Sequence, residues 1–206
     1  MNKLKPIEIA LIFGVVISML AGRGIAAQQE ELADCMIRLH VIANSDSEED
    51  QAEKLAVRDA VLELAAKYGE GVRSVSEMEQ LLHRYIPELE EAGNQILKER
   101  GSPHSLRAAV ADCYFPTKVY DGFALPAGEY TALRVVIGNG EGENWWCVAF
   151  PPLCVGACAE HIEQAIDAGL FTPQQGGLIT GEGPQYILKF RCMELLGQLK
   201  QYLRRG

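Results

Sequence analysis

Cys147 stands in the middle of GENWWCVAFPPLC, Gly142 to Cys154, a stretch holding both tryptophans and two of the six cysteines of the 206-residue chain. A cysteine attacks a carbonyl when a histidine takes its proton. Four histidines are present, and His40 and His161 are the candidates for that base. Such a pair would make the chain a thiol-dependent hydrolase or transferase acting through Cys147. Two features weigh against it. No histidine sits in a recognisable protease or transferase signature, and Cys147 is central in an apolar strand pattern, where a cysteine packs or pairs. A disulfide between Cys147 and Cys154, across Pro151-Pro152, is the other open reading. The signatures Asp-Thr/Ser-Gly, GxSxG, HExxH and SxxK are all missing.

Other chemistry-bearing stretches read as turns and caps. Gly138-Asn139-Gly140-Glu141-Gly142 resembles a phosphate cradle but precedes a strand and has no lysine at the Walker position. Asn44-Ser45-Asp46-Ser47-Glu48-Glu49 begins like a calcium loop but lacks the glycine needed at the sixth position, so it reads as the start of a helix. His40 has no second ligand at metal spacing. No catalytic set, metal or cofactor is expected.

The elements that must position these residues follow from pattern. MIRLHVIA, Met36 to Ala43, reads as a strand with Ile37, Leu39, Val41 and Ala43 on its core face and Met36, Arg38, His40 and Ile42 on the other. Ser47 with Asp50 caps a helix whose stripe is Val57, Val61, Leu64 and Tyr68, flanked by Leu55 and Leu62. Asp50, Lys54 and Arg58 step down a face that reads as solvated. Gly69 and Gly71 end the helix. A second helix opens at Ser76–Glu79, and Pro87 is expected to start a further one ending near Gly101. Strands follow at Leu106–Phe115, Tyr130–Ile137 and Asn144–Phe150, the last two predicted to form a hairpin through Gly138–Glu143. Ala159–Leu170 and Tyr186–Tyr202 read as helices separated by a loop, Thr172–Pro184. The expected fold is α+β: a mostly antiparallel sheet of about four strands with helices packed on one face.

Composition bounds the function. The chain is 48% hydrophobic, carries a net charge of −9 and has a pI near 5.0, which argues against nucleic acid. Lys3 and Lys5 precede an apolar run from Ile9 to Ala21, and Gly24 and Ala26 supply small residues at a cleavage site after Ala26. The run is short for a span of about 20 residues. Residues 1–26 are therefore expected to be a signal peptide or, if uncleaved, a membrane anchor. Residues 27–206 are expected to be one α+β domain. Export permits disulfides among Cys35, Cys113, Cys147, Cys154, Cys158 and Cys192. An exported domain without a catalytic set is more naturally a binding protein. Trp145 and Trp146 must point to opposite faces of their strand, so one can fill the core while the other faces outward.

Three blocks then carry a resemblance. RLHVIANSDS (Arg38–Ser47) runs into EEDQAEKLAVRDAVL, and FPTKVYDGFALPAGEYTALRVVIGNGEGENWWCVAFPPLC covers Phe115–Cys154. Behind a short apolar N-terminus, these resemble stage II sporulation protein R of endospore-forming bacteria, from about Cys35 to Cys154. The helical part 159–206 is less family-like. The resemblance implies a signal made in the forespore and exported into the space between the forespore and mother-cell membranes. It implies a partner, a membrane-embedded aspartyl protease in the mother cell that processes pro-sigma-E, and no catalytic residues in the chain itself. Combined with the predicted faces, it makes Arg38, His40, Asn44, Asp46, Lys118, Trp145 and Trp146 the partner-binding candidates.

Overall fold

The structure is a computed structural model describing residues 11–14, 27–120, 122–153 and 159–181, of which 159–161 through the backbone alone. A helical segment, 27–33 (α1), leads into β1 (Ile37–Ile42). Two long helices follow, α2 (Glu48–Tyr68) and α3 (Val75–Glu99), then β2 (Leu106–Phe115), a short ribbon of β3 (Lys118–Tyr120) and β4 (Phe123–Leu125), β5 (Gly128–Ile137) and β6 (Asn144–Phe150). The last described elements are α4 (Ala159–Asp167) and α5 (Pro173–Thr180). No helix among the described residues is long and apolar enough to cross a membrane. Residues 1–26, apart from helical residues 11–14, and the expected helix Tyr186–Tyr202 lie outside the described residues.

The four-stranded sheet has the order β2-β5-β1-β6 and is mixed. This corrects the expected mostly antiparallel sheet. Successive elements reverse direction, so β1 and β5 run the same way while β2 and β6 run opposite. β1 then inserts between β5 and β6, which makes the β1–β5 pair parallel, and the two long helices supply the connection a parallel pair requires. The same insertion removes the predicted β5–β6 hairpin. Gly138–Glu143 crosses over the end of β1 instead, with Gly142 N donating to Ala43 O and Glu141 N to Asn44 O.

Alternation along β1 sorts two cores. Ile37, Leu39 and Val41 join Val57, Val61, Met78, Leu82, Leu89 and Leu97 of α2 and α3 on one side. The other face is also covered, by Leu32 of α1, Phe123 and Leu125 of the ribbon, and Ile162, Phe171 and Ile179 from the α4–α5 region. Helices on one face only is thus a second expectation corrected. Ala132, Val148, Phe115 and Tyr130 make the second face too apolar to leave wet.

The helices also depart from expectation. Ser74, not Ser76, caps α3, accepting from Glu77 N. Pro87 lies inside α3, because Met78, Leu82, Leu89, Gly93 and Leu97 form one buried stripe along its whole length. That packing offsets the roughly 3 kcal/mol an internal proline costs. Ser47 caps α2 as expected. Asp50 and Lys54, expected on a solvated face, are buried with Glu53 in the first turns of α2. Residues 173–180, read as loop, are helical, with Thr172 and Gln175 forming a reciprocal capping box and Gly181 closing the helix in the left-handed region.

Candidate functional site

Register places the motif residues together. His40 lies opposite Trp146 on β6, Val41 opposite Trp145, and Leu39 opposite Cys147. Even-numbered β1 residues therefore share the second face with Trp146, while Cys147 faces α2 and α3. Cys147 is buried and held in a disulfide. Cys154, the partner the sequence suggests, lies outside the described residues. His40 and Cys147 are thus on opposite sides of the sheet and cannot form a nucleophile–base pair. The His161 side chain is not among those described.

Arg38 is the most unusual side chain of this face, with 0% exposure. Its Nε donates to Cys147 O at 2.8 Å, and its Nη2 donates to Tyr120 Oη at 2.8 Å. Tyr120 in turn donates to Trp146 O at 3.1 Å, which pins the β3–β4 ribbon over β6. The guanidinium carbon lies 4.2 Å from the centre of the Phe115 ring and 5.0 Å from that of Tyr130. Nη1 is buried without a hydrogen-bond partner. Burial lowers the Arg38 pKa, against which Tyr120 and Tyr130 act. Burial also pushes the Tyr130 hydroxyl up to about 12.

His40 stacks on Trp146 with centroids 3.9 Å apart, and Trp146 meets Phe115 edge-on at 4.7 Å. His40 Nε2 lies 2.6 Å from Asn144 Oδ1. That oxygen only accepts, so Nε2 carries the proton, and Nδ1 is left as a buried acceptor without a partner. Burial lowers the His40 pKa, more than the Asn144 bond raises it, with Arg134 adding to the lowering. His40 is neutral at pH 7. Trp145 sits on the helix side beneath Arg58, whose guanidinium carbon is 4.3 Å from the ring centre. Both tryptophans are half-buried, so neither is the outward-facing residue expected.

The two loops at this end of the sheet fasten one another. Asn44 Oδ1 accepts from Asn139 N, and Asp46 Oδ1 accepts from Glu143 N at 2.6 Å. Lys54 Nζ donates to Glu143 O at 3.0 Å and to Gln51 Oε1. A Cβ on Gly142 would strike the Ser45 backbone, so glycine alone permits this approach. Asp50 Oδ2 accepts from Asn44 Nδ2 at 2.8 Å and Ser45 Oγ at 2.5 Å. These bonds lower the Asp50 pKa, those from Ser45 and Asn44 most. Asp46, Glu48, Glu49, Glu141 and Glu143 stay exposed around the fastened loops. Lys118 opens β3, half-buried and opposite Leu125.

Of the partner-binding candidates, then, Arg38, His40 and Trp146 form one interior cluster, Asn44 and Asp46 hold the loop, and Trp145 and Lys118 stand apart from both. Sequence reading missed Tyr120 and Asn144, which orient Arg38 and His40, and the buried trio Asp50, Glu53 and Lys54. The period of α2 carried a signal for the trio, since these residues continue the inward stripe of Val57 and Val61 by one and two turns.

Comparison with known proteins covers much of the chain. Stage II sporulation protein R of Bacillus subtilis (strain 168) is 38% identical over 123 residues, covering 60% of this chain and 55% of that protein. The chain thus aligns with little more than half the length of this relative. No solved structure matches the chain. The sequence model of the stage II sporulation protein R family matches residues 33–160. With most of its length covered, from the end of α1 through β6 and into α4, the chain belongs to the stage II sporulation protein R family.

Proposed function

We propose that this chain is an exported sporulation signal that activates a membrane-embedded aspartyl protease by binding it, so that the protease processes pro-sigma-E in the mother cell. Family membership supports the sporulation role. The observation that carries the binding reading is the interlock of Asn44–Ser47 with Gly138–Glu143, which holds the exposed Asp46, Glu141 and Glu143 in fixed positions. Pre-ordered surface of this kind loses little freedom on docking. Residues 1–26 would carry the chain to the space between the forespore and mother-cell membranes, as a cleaved signal or as an anchor.

Activation by binding needs the receptor's active state to hold the signal more tightly than its resting state. A tenfold preference corresponds to about 1.4 kcal/mol. Asp46 and Lys118 are the candidates placed to touch a receptor. Arg38, His40, Asn44 and Trp146 act behind them as positioning residues.

Reconstitution tests this. The full chain is co-expressed with the protease and pro-sigma-E in a host lacking all three, and cleavage is followed by immunoblot. Processing should depend on the chain and fall at least tenfold in the Glu141→Lys/Lys118→Glu variant, which leaves the Asp46–Glu143 bond in place, at unchanged melting temperature. Absence of processing with the chain exported and folded would remove the activator reading. Full processing by the charge-reversed variant would place docking on another surface.

A further inference from the structure

We infer that Asp50, Glu53 and His104 form a binding site for one divalent cation of the zinc class. The sequence separates these residues widely, but the fold brings one donor atom from each within 4.8 Å of the others. Asp50 and Glu53 are at i and i+3 on the first turns of α2, hence on one face. His104 arrives from the connection between α3 and β2. Its Nε2 is 3.4 Å from Asp50 Oδ1. Two ligands of a tetrahedral zinc ion stand about 3.3 Å apart, given bonds of about 2.0–2.1 Å.

Charge and burial point the same way. Glu53 is only 2% exposed, and among the described residues it forms no ion pair and one hydrogen bond, from Ser102 Oγ to Oε2 at 2.9 Å. Lys54, its chain neighbour, donates elsewhere, to Gln51 and Glu143. Hydrogen bonds from Asn44 and Ser45 satisfy one Asp50 oxygen, but Glu53 has one hydrogen bond and a second carboxylate beside it, and is poorly compensated. A dication balances both.

The surroundings also orient the donors. Asn44 and Ser45 occupy Asp50 Oδ2, leaving Oδ1 toward His104. Ser102 fixes the Glu53 carboxylate in the same way. Outer hydrogen bonds of this kind hold a ligand set in place. His104 is about a quarter exposed, which leaves room for water at a fourth position. One nitrogen with two carboxylates suits zinc, cobalt or manganese better than calcium or magnesium, which favour oxygen throughout. A bound cation would tie the α3–β2 connection to the start of α2. Through Asn44 and Ser45 it would also steady the loop that holds Asp46.

The test uses the full chain, stripped with EDTA and titrated with Co2+ while the visible d–d bands are read. One Co2+ should bind per chain, be displaced by Zn2+, and show no sulfur-to-cobalt band, and Zn2+ should raise the melting temperature. Glu53→Gln keeps an acceptor for Ser102, and His104→Gln keeps a donor to Asp50. Each should weaken Co2+ binding at least tenfold with its circular dichroism unchanged. No uptake by the wild type, or wild-type uptake by both folded variants, would overturn the site, and a thiolate band would assign the metal to cysteines instead.

Discussion

The two faces of the central sheet are built on opposite terms. Toward α2 and α3, β1 presents Ile37, Leu39 and Val41 to a core of aliphatic side chains. Toward the ribbon, the same strand presents Arg38 and His40 to aromatic rings and backbone carbonyls. The first face gains from burial at about 25 cal/mol per Å² of apolar surface. The second buries a guanidinium with one nitrogen unbonded and an imidazole with one nitrogen unbonded. Unsatisfied buried groups cost about 1–3 kcal/mol each. The aliphatic core of the helix face therefore stabilises without such a cost. On the ribbon face Arg38 and His40 offset part of what Phe115, Leu125 and Val148 gain by burial, and in return fix the positions of Trp146, Tyr120 and Asn144.

The largest expected effect lies on the helix face. Leu82 is fully buried on α3 within the core that faces β1. Leu82→Ala should lower unfolding free energy by about 2–5 kcal/mol, through lost burial and the cavity left behind. Urea unfolding followed by circular dichroism measures it. A loss below about 1 kcal/mol would mean that this face is not where the stability resides.

How far the sequence shows this contrast depends on which forces are local. The two faces of β1 were legible from alternation alone, and the start of α2 from Ser47 and Asp50. The sheet order was not. Gly138–Glu143 has the composition of a hairpin turn, and nothing nearby in sequence reveals that β1 will enter between β5 and β6. Pro87 misled for the reverse reason: its local cost is real, but contacts from Met78 to Leu97 outweigh it. Charge misled on α2. Asp50 and Lys54 look solvated until partners far along the chain, His104 and Glu143, are known. The same holds for the candidate site. Arg38 could be named as a candidate from its motif, but its position was not legible, because it belongs inside only when Cys147 O and Tyr120 Oη are there to receive it.

A smaller effect separates the faces by pH. Burial lowers the His40 pKa below its ordinary 6.5. The unfolded chain then takes up the proton before the folded one does. The contribution of neutral His40 is present in full above pH 6.5 and shrinks as pH falls from there toward the depressed folded value. The slope from one such group is at most about 1.4 kcal/mol per pH unit. His40→Gln keeps a donor for Asn144 and does not titrate, so its stability should fall less between pH 7.5 and 5.5 than that of the wild type. Thermal melts of both proteins across that range give the difference. Parallel curves would show that His40 takes up its proton in the fold as readily as in the unfolded chain, and that the ribbon face tolerates charge more cheaply than its burial suggests.

The smallest expected effect sharpens the comparison most. Arg38→Met removes the buried charge while keeping a long, adaptable chain whose sulfur can lie against Phe115 and Tyr130. It gives up the bonds to Cys147 O and Tyr120 Oη. It also removes the desolvation cost and the unbonded Nη1. Replacing buried charges by apolar groups of like volume is often close to neutral. Stability within about 1 kcal/mol of the wild type is expected by urea unfolding, against the several lost in Leu82→Ala. A loss of 3 kcal/mol or more would make Arg38 a net stabiliser and erase the division between the faces. Near-neutral stability with impaired pro-sigma-E processing would place its value elsewhere: in holding Tyr120, and with it the ribbon that begins at Lys118, the proposed receptor contact.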